Sequence, residues 1–102
     1  KLISCLHGRF YLVVVNCNRD SMLFGRWQAF TLSDTNRHQV LVPPKYGNGH
    51  LVMSEQAIFH YKQSTAYAPE KQFTYQWNDR RFGILWPVKD PILSARDSHV
   101  VA

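Results

Sequence analysis

The 102-residue sequence lacks most of what would mark a metal, membrane or nucleotide-phosphate protein. No apolar run approaches the roughly 20 residues of a membrane span, and the longest, residues 10–15, has the length of a strand. Cysteine is scarce. Cys5 and Cys17 fall in predicted strands without C-x-x-C spacing and are expected to be reduced core thiols of a cytosolic protein. The five histidines form no H-x-H pair, so no metal is expected, although His50 and His60 could meet across a hairpin. There is no G-x-S-x-G, and neither cysteine stands beside an obvious base, which leaves a hydrolase unsupported. Gly47 and Gly49 are not followed by a predicted helix, so no phosphate loop is read there. Internal repeats and low-complexity tracts are also missing, and one domain over residues 1–102 is expected.

The net charge of +5 admits nucleic acid as a partner, but Lys and Arg are scattered, and Arg80-Arg81 is the sole adjacent pair. A solvated mixed surface is the simpler reading, with an anionic-ligand site as its alternative. Exposed aromatics interleaved with clustered basic residues are lacking, which disfavours a nucleic-acid binder. The chain opens at Lys1 directly into an apolar pattern with no recognisable signal peptide. Residues upstream of Lys1 are expected to be missing.

What remains is a succession of short strand patterns. Strands are predicted over residues 1–6, 9–16, 25–32 and 38–42, the last stopped by Pro43-Pro44. The β-branched run in residues 9–16 predicts burial on both faces. Residues 45–49 read as a bend, because glycine and asparagine cluster there. Further strands are predicted over residues 50–53, 57–62 and 73–77, followed by an irregular tail after Pro87. No stretch of ten residues keeps a helical period. Seven or eight strands at spacings of about 8 to 12 residues indicate an all-β sandwich or barrel.

The stretch around Tyr61 and Tyr67 is the centre of this pattern. Strand alternation puts Phe59 and Tyr61 on one face and His60 and Lys62 on the other. A phenol inside a barrel can protonate an enolate, because phenols ionise near pH 10, close to the carbon acid they would serve. Spacing alone favours the simpler alternative, an amphipathic wall residue whose hydroxyl bonds a neighbour.

Several blocks together resemble the dTDP-4-dehydrorhamnose 3,5-epimerase family almost end to end. They are Lys1-Leu2-Ile3-Ser4-Cys5 before a glycine turn, Phe24-Gly25-Arg26-Trp27, and Leu32-Ser33-Asp34-Thr35-Asn36-Arg37-His38-Gln39. Val42-Pro43-Pro44 precedes Tyr46 and Gly49, and Tyr61-Lys62 precedes Tyr67-Ala68-Pro69-Glu70. Trp77-Asn78-Asp79, Phe82-Gly83-Ile84 with Trp86-Pro87, and Pro91-Ile92-Leu93-Ser94 with Arg96-Asp97 complete the set. Each block is weak alone, and their order and spacing carry the resemblance.

The resemblance implies a cupin-type double-stranded β-helix, a jelly-roll barrel, that works as a homodimer without a metal or organic cofactor. It implies inversion at carbon 3 and/or carbon 5 of a nucleotide-diphosphate 4-keto-6-deoxy sugar. The 4-keto group acidifies the neighbouring C–H bonds, a histidine removes a proton, and a tyrosine returns one from the other face. In this sequence Tyr61 matches the proton donor and Tyr67 the tyrosine that stacks on the nucleotide base. Lys1 matches a lysine near the keto oxygen, where a cation stabilises the developing enolate. Asp97 matches the aspartate that orients the base, and Arg96 a ligand-binding residue beside it.

The base itself falls in a Gly-Leu-His-like segment upstream of the lysine and would precede Lys1. Asn48 stands where a ligand-binding histidine is frequent, Leu12 where many members carry an aspartate, and Gln72 where a glutamate contacts the nucleotide. A thymidine-, guanosine- or cytidine-linked sugar is compatible with these departures. Two other readings remain open. One is a 3,4-ketoisomerase with His50 or His60 as base, and the other a non-catalytic module that binds sugar nucleotides. No membrane or nucleic-acid partner is expected.

Overall fold

The computed structural model describes residues 1–64 and 74–98, and the chain forms two compact units, residues 1–66 and 67–102. The first unit is built from six strands: β1 (Leu2–His7), β2 (Arg9–Asn16), β3 (Trp27–Ser33), β4 (Gln39–Leu41), β5 (Tyr46–Val52) and β6 (Ile58–Lys62). They pair into two three-stranded antiparallel sheets, ordered β4-β1-β6 and β3-β2-β5. This is the all-β arrangement that the short alternating patterns predict.

The corner between the sheets is the tight turn from β1 into β2. Gly8 takes φ +81°, a conformation that side chains with a Cβ avoid. A Cβ there would collide with the carbonyl oxygen of Gln56. The Gly8 N–H donates to Asp34 Oδ2 at 3.0 Å, and Ser54 Oγ accepts from Arg9 N–H at 3.0 Å. These contacts tie the ends of β1, β2 and β3 and the β5–β6 link together at one closed end.

Between the inner faces lies the core. Ile3 and Cys5 from β1 meet Phe10, Leu12 and Val14 from β2, with Leu32, Val42, Phe30 and Phe59 packed around them. Phe10, Leu12, Leu32 and Ile3 are wholly buried, and each contributes roughly 1.5–3 kcal/mol of transfer free energy. On β2 the alternate residues Val13 and Val15 are buried too, at 1% and 8% exposure. The expectation of burial on both faces of this strand holds.

Four details of the sequence reading require correction. Residues 45–49 are not a bend, since β5 begins at Tyr46 and runs through both glycines to Val52. A Cβ at Gly47 would lie 3.0 Å from the Cys17 sulfur, so this glycine marks a close side-chain approach within a paired strand. Of the strand expected over 73–77, Phe73 lies outside the described residues, and Thr74 to Gln76 are irregular before a turn at Trp77. The Trp77 carbonyl there accepts a hydrogen bond from Trp86 Nε1 at 2.7 Å, which a ladder partner would otherwise supply. The tail contains one helical turn, α1 (Ala95–Ser98). Ser94 caps it by accepting from the Asp97 N–H at 3.2 Å. Six strands are present among the described residues, against the seven or eight expected.

Candidate active site

Register decides which side chains face inward. Directly paired residues share a face of a sheet, and faces alternate along each strand. In the β3-β2-β5 sheet, core residue Phe10 is flanked by Leu32 and Val52, Leu12 by Phe30 and His50, and Val14 by Gln28 and Asn48. In the β4-β1-β6 sheet, Ile3 is flanked by Val40 and Tyr61, and Cys5 lies beside Phe59. The interior therefore grades from apolar rows near the Gly8 corner to polar residues at the opposite end. Lys1, Tyr61, Gln28 and Asn48 occupy that open end.

The aromatic wall leading to it is continuous. Phe59 lies 5.0 Å from Phe10 and stacks on His50 at 4.3 Å with a 26° interplanar angle. Tyr61 follows two residues along, its ring 6.1 Å from that of Phe59. The Lys1 ammonium sits 4.8 Å from the Tyr61 ring centroid, within cation–π range. Tyr61 is 43% exposed.

His60 is on the outer face, as alternation predicts. Its Nδ1 lies 3.4 Å from Ser4 Oγ, beside a shallow depression of about 150 Å³ lined by Leu2, Ser4, Leu6, Gln39, His60 and Lys62. Of the two histidines considered as a base inside the barrel, His50 alone faces inward. No three His, Cys, Asp or Glu side chains gather into a metal-binding group among the described residues.

The second unit holds the remaining described residues that the sequence reading expects at the site. Arg96 and Asp97 are exposed neighbours on α1, and Arg96 Nε donates to Thr74 Oγ1 at 3.0 Å. Asp79 and Arg81 form a bidentate pair, with Nη2 donating to Oδ2 at 2.7 Å and Nε to Oδ1 at 3.1 Å. These hydrogen bonds hold the Asp79 carboxyl below its usual range and push Arg81 up. The Arg81 guanidinium also lies 5.2 Å from the Tyr75 ring centroid. Tyr67 and Gln72 lie outside the described residues.

Both thiols are free, and burial raises their pKa. Cys5 Sγ donates to the His7 and Gly8 carbonyls at 3.2 and 3.3 Å. Thus Lys1 and Tyr61 meet at one end of the first unit, Asn48 lies on the inner face of the other sheet beside Val14, and Arg96 and Asp97 share a turn of the second unit. Gln28 was not singled out from the sequence, because a lone polar residue in an alternating strand reads as solvent-facing. Its pairing with core residue Val14 is what places it on the inner face of the sheet, at the exposed end.

Two antiparallel sheets with a shared core, open at one end onto inward polar side chains, define a cupin-type fold. Comparison with known proteins supports that class and refines it. The family described as dTDP-4-dehydrorhamnose 3,5-epimerase matches residues 1–102, and the chain belongs to it. The dTDP-4-dehydrorhamnose 3,5-epimerase of Escherichia coli K12 is 38% identical over 101 residues, covering 98% of this chain and 55% of the relative.

Among solved structures, a dTDP-6-deoxy-D-glucose-3,5-epimerase from Legionella pneumophila Philadelphia 1 was determined in complex with dTDP-4-keto-L-rhamnose. It superposes with a TM-score of 0.89 at 33% identity, covering 95% of this chain and 52% of the other. A 3'-monoepimerase from Streptomyces bikiniensis, in complex with dTDP-quinovose, gives a TM-score of 0.87 at 30% identity, covering 95% and 50%. The chain spans about half the length of the curated relatives it matches.

Proposed function

We propose that this chain carries the acid side of an epimerase acting on nucleotide-linked 4-keto-6-deoxy sugars in deoxysugar and polysaccharide biosynthesis, lipopolysaccharide included. The observation that carries the reading is the Lys1 ammonium poised over the Tyr61 ring at the open end of the aromatic wall.

The chemistry follows from the substrate. The 4-keto group makes the hydrogens on carbons 3 and 5 acidic. Removing one leaves an enolate whose negative charge gathers on the keto oxygen. Lys1 stabilises that charge, and a fixed cation does so best in a partly dehydrated cleft. Tyr61 then returns a proton to the opposite face of the carbon, inverting it. A histidine, oriented by Asp97, is the base in this scheme. Arg96, Asn48, Tyr67 and Gln72 bind the nucleotide sugar, with Tyr67 stacking on the base. The reaction needs no metal or cofactor in this reading, since the substrate carbonyl is its own electron sink.

The sugar-nucleotide complexes of the Legionella and Streptomyces relatives support a nucleotide-linked ligand here. The reading extends to a cytoplasmic homodimer. Among the described residues no helix is long and apolar enough to cross a membrane.

One relative is a 3,5-epimerase and another a 3'-monoepimerase, so the number of inverted carbons is the natural test. The protein at its natural length is incubated in heavy water with thymidine-, guanosine- and cytidine-linked 4-keto-6-deoxy sugars. Two deuterons per sugar are expected of a double epimerase and one of a single-site enzyme. Binding without any uptake would overturn the epimerase reading. A carbonyl moved from carbon 4 to carbon 3 would instead identify a ketoisomerase, for which the inward His50 is the base available in the first unit.

A further inference from the structure

Gln28 and Asn48 stand on the inner faces of β3 and β5, each directly paired with Val14 of β2 between them. Two inter-strand steps separate their backbones by roughly 10 Å. Val14, a member of the buried core, holds the two carboxamides apart and offers no polar atom of its own. Gln28 is exposed and Asn48 half-buried, so both amide ends are available to a ligand entering the open end. Lys1 and Tyr61 face that same end from the other sheet.

From this row we infer a carboxamide clamp that selects the sugar, an inference that rests on the nucleotide-sugar reading above. Each carboxamide both donates and accepts, which matches a hydroxyl, and neither changes charge with pH. Among the described strand residues on the two inner faces none is acidic, and Lys1 contributes positive charge. An ammonium on the sugar would find no counter-charge on those two faces and would be repelled by Lys1 as it lost water. The clamp thus admits neutral 4-keto hexoses that present hydroxyls to it and rejects their amino-substituted counterparts.

The test uses calorimetric titration of the protein at its natural length. The ligands are thymidine, guanosine and cytidine diphosphates, the matching 4-keto-6-deoxyhexose derivatives, and 3-amino analogues of those sugars. Gln28→Val should weaken the hydroxylated sugar nucleotide about tenfold while leaving the bare diphosphate unchanged. In turnover, the loss should appear more in KM than in kcat. Gln28→Glu should shift preference toward the amino sugar, because the new carboxylate pairs with its ammonium.

Thermal melts check folding, and valine suits an exposed strand position. Equal affinity of Gln28→Val and wild type for the hydroxylated sugar would overturn the clamp, as would a wild type that prefers the amino sugar. Failure of all sugar nucleotides to bind would overturn it as well. Binding with the expected Gln28 dependence but no isotope exchange would retain the clamp and remove the epimerase reading alone.

Discussion

The Lys1 ammonium lies 4.8 Å from the centre of the Tyr61 ring, joining the start of the first strand to its paired neighbour in the last strand of the same sheet. Ile3, two residues after Lys1, is the register partner of Tyr61. A fixed cation and a phenol thus share one end of one sheet. Lys1→Met, which keeps the length of the side chain without its charge, should lower kcat by roughly 10²–10³. Lys1 is exposed, so the melting temperature should hardly move. Turnover measured beside a thermal melt separates the two effects, and an unchanged kcat would remove Lys1 from the chemistry.

The closed end of the first unit makes a prediction about stability. Gly8→Ala must accept both a left-handed backbone and a collision with the Gln56 carbonyl, and should cost at least about 2 kcal/mol. Gly83, at φ +60° with open space around its Cα, supplies the control. Gly83→Ala should cost about 1 kcal/mol from the backbone alone. Urea unfolding of both variants measures the difference, and equal losses would refute the steric account of the corner.

These glycines also show where the sequence could and could not be read. Strand β2 was legible to its end residues, because an apolar β-branched run is bounded by a glycine turn and an asparagine. The glycines of β5 were misread, because a residue without a side chain signals both a turn and a close approach, and the choice depends on what lies opposite. At Gly47 that neighbour is Cys17, thirty residues earlier and invisible to local pattern. The site divides in the same way. Tyr61 could be placed by alternation from Phe59 within one strand, whereas Gln28 needed the register of two strands. The Trp77 turn depends on the indole of Trp86, a contact that no periodicity encodes.

The bidentate Asp79–Arg81 pair gives the second unit a pH dependence with a definite sign. The folded carboxyl is held below its ordinary value, chiefly by the Arg81 side-chain hydrogen bonds. The pair therefore contributes its full stability above the ordinary carboxylate pKa of about 3.9, and loses it as pH falls through the lowered value. The Arg81 end is half exposed, so the effect is small and screened by salt. Asp79→Asn should melt below wild type at pH 6, and the two curves should converge at the lowest pH. A gap that widened on acidification would contradict the assignment.

The Cys5 thiol makes a chemical prediction. Burial raises its pKa and covers its sulfur, which donates to two backbone carbonyls at the β1 turn. Both cysteines should alkylate slowly with iodoacetamide at pH 8, and Cys5 more slowly than the half-buried Cys17. Mass spectrometry of the timed reaction reads the order, and faster labelling of Cys5 would mean that the closed end opens in solution.

The measurement that bears most directly on the central claim is solvent deuterium uptake by the sugar with wild type and Tyr61→Phe. Phenylalanine keeps the ring beneath Lys1 and beside Phe59 while removing only the proton donor. The account predicts intact binding and a rate of deuterium incorporation with inversion lowered by roughly 10²–10⁴. An undiminished rate of inversion in Tyr61→Phe would contradict it.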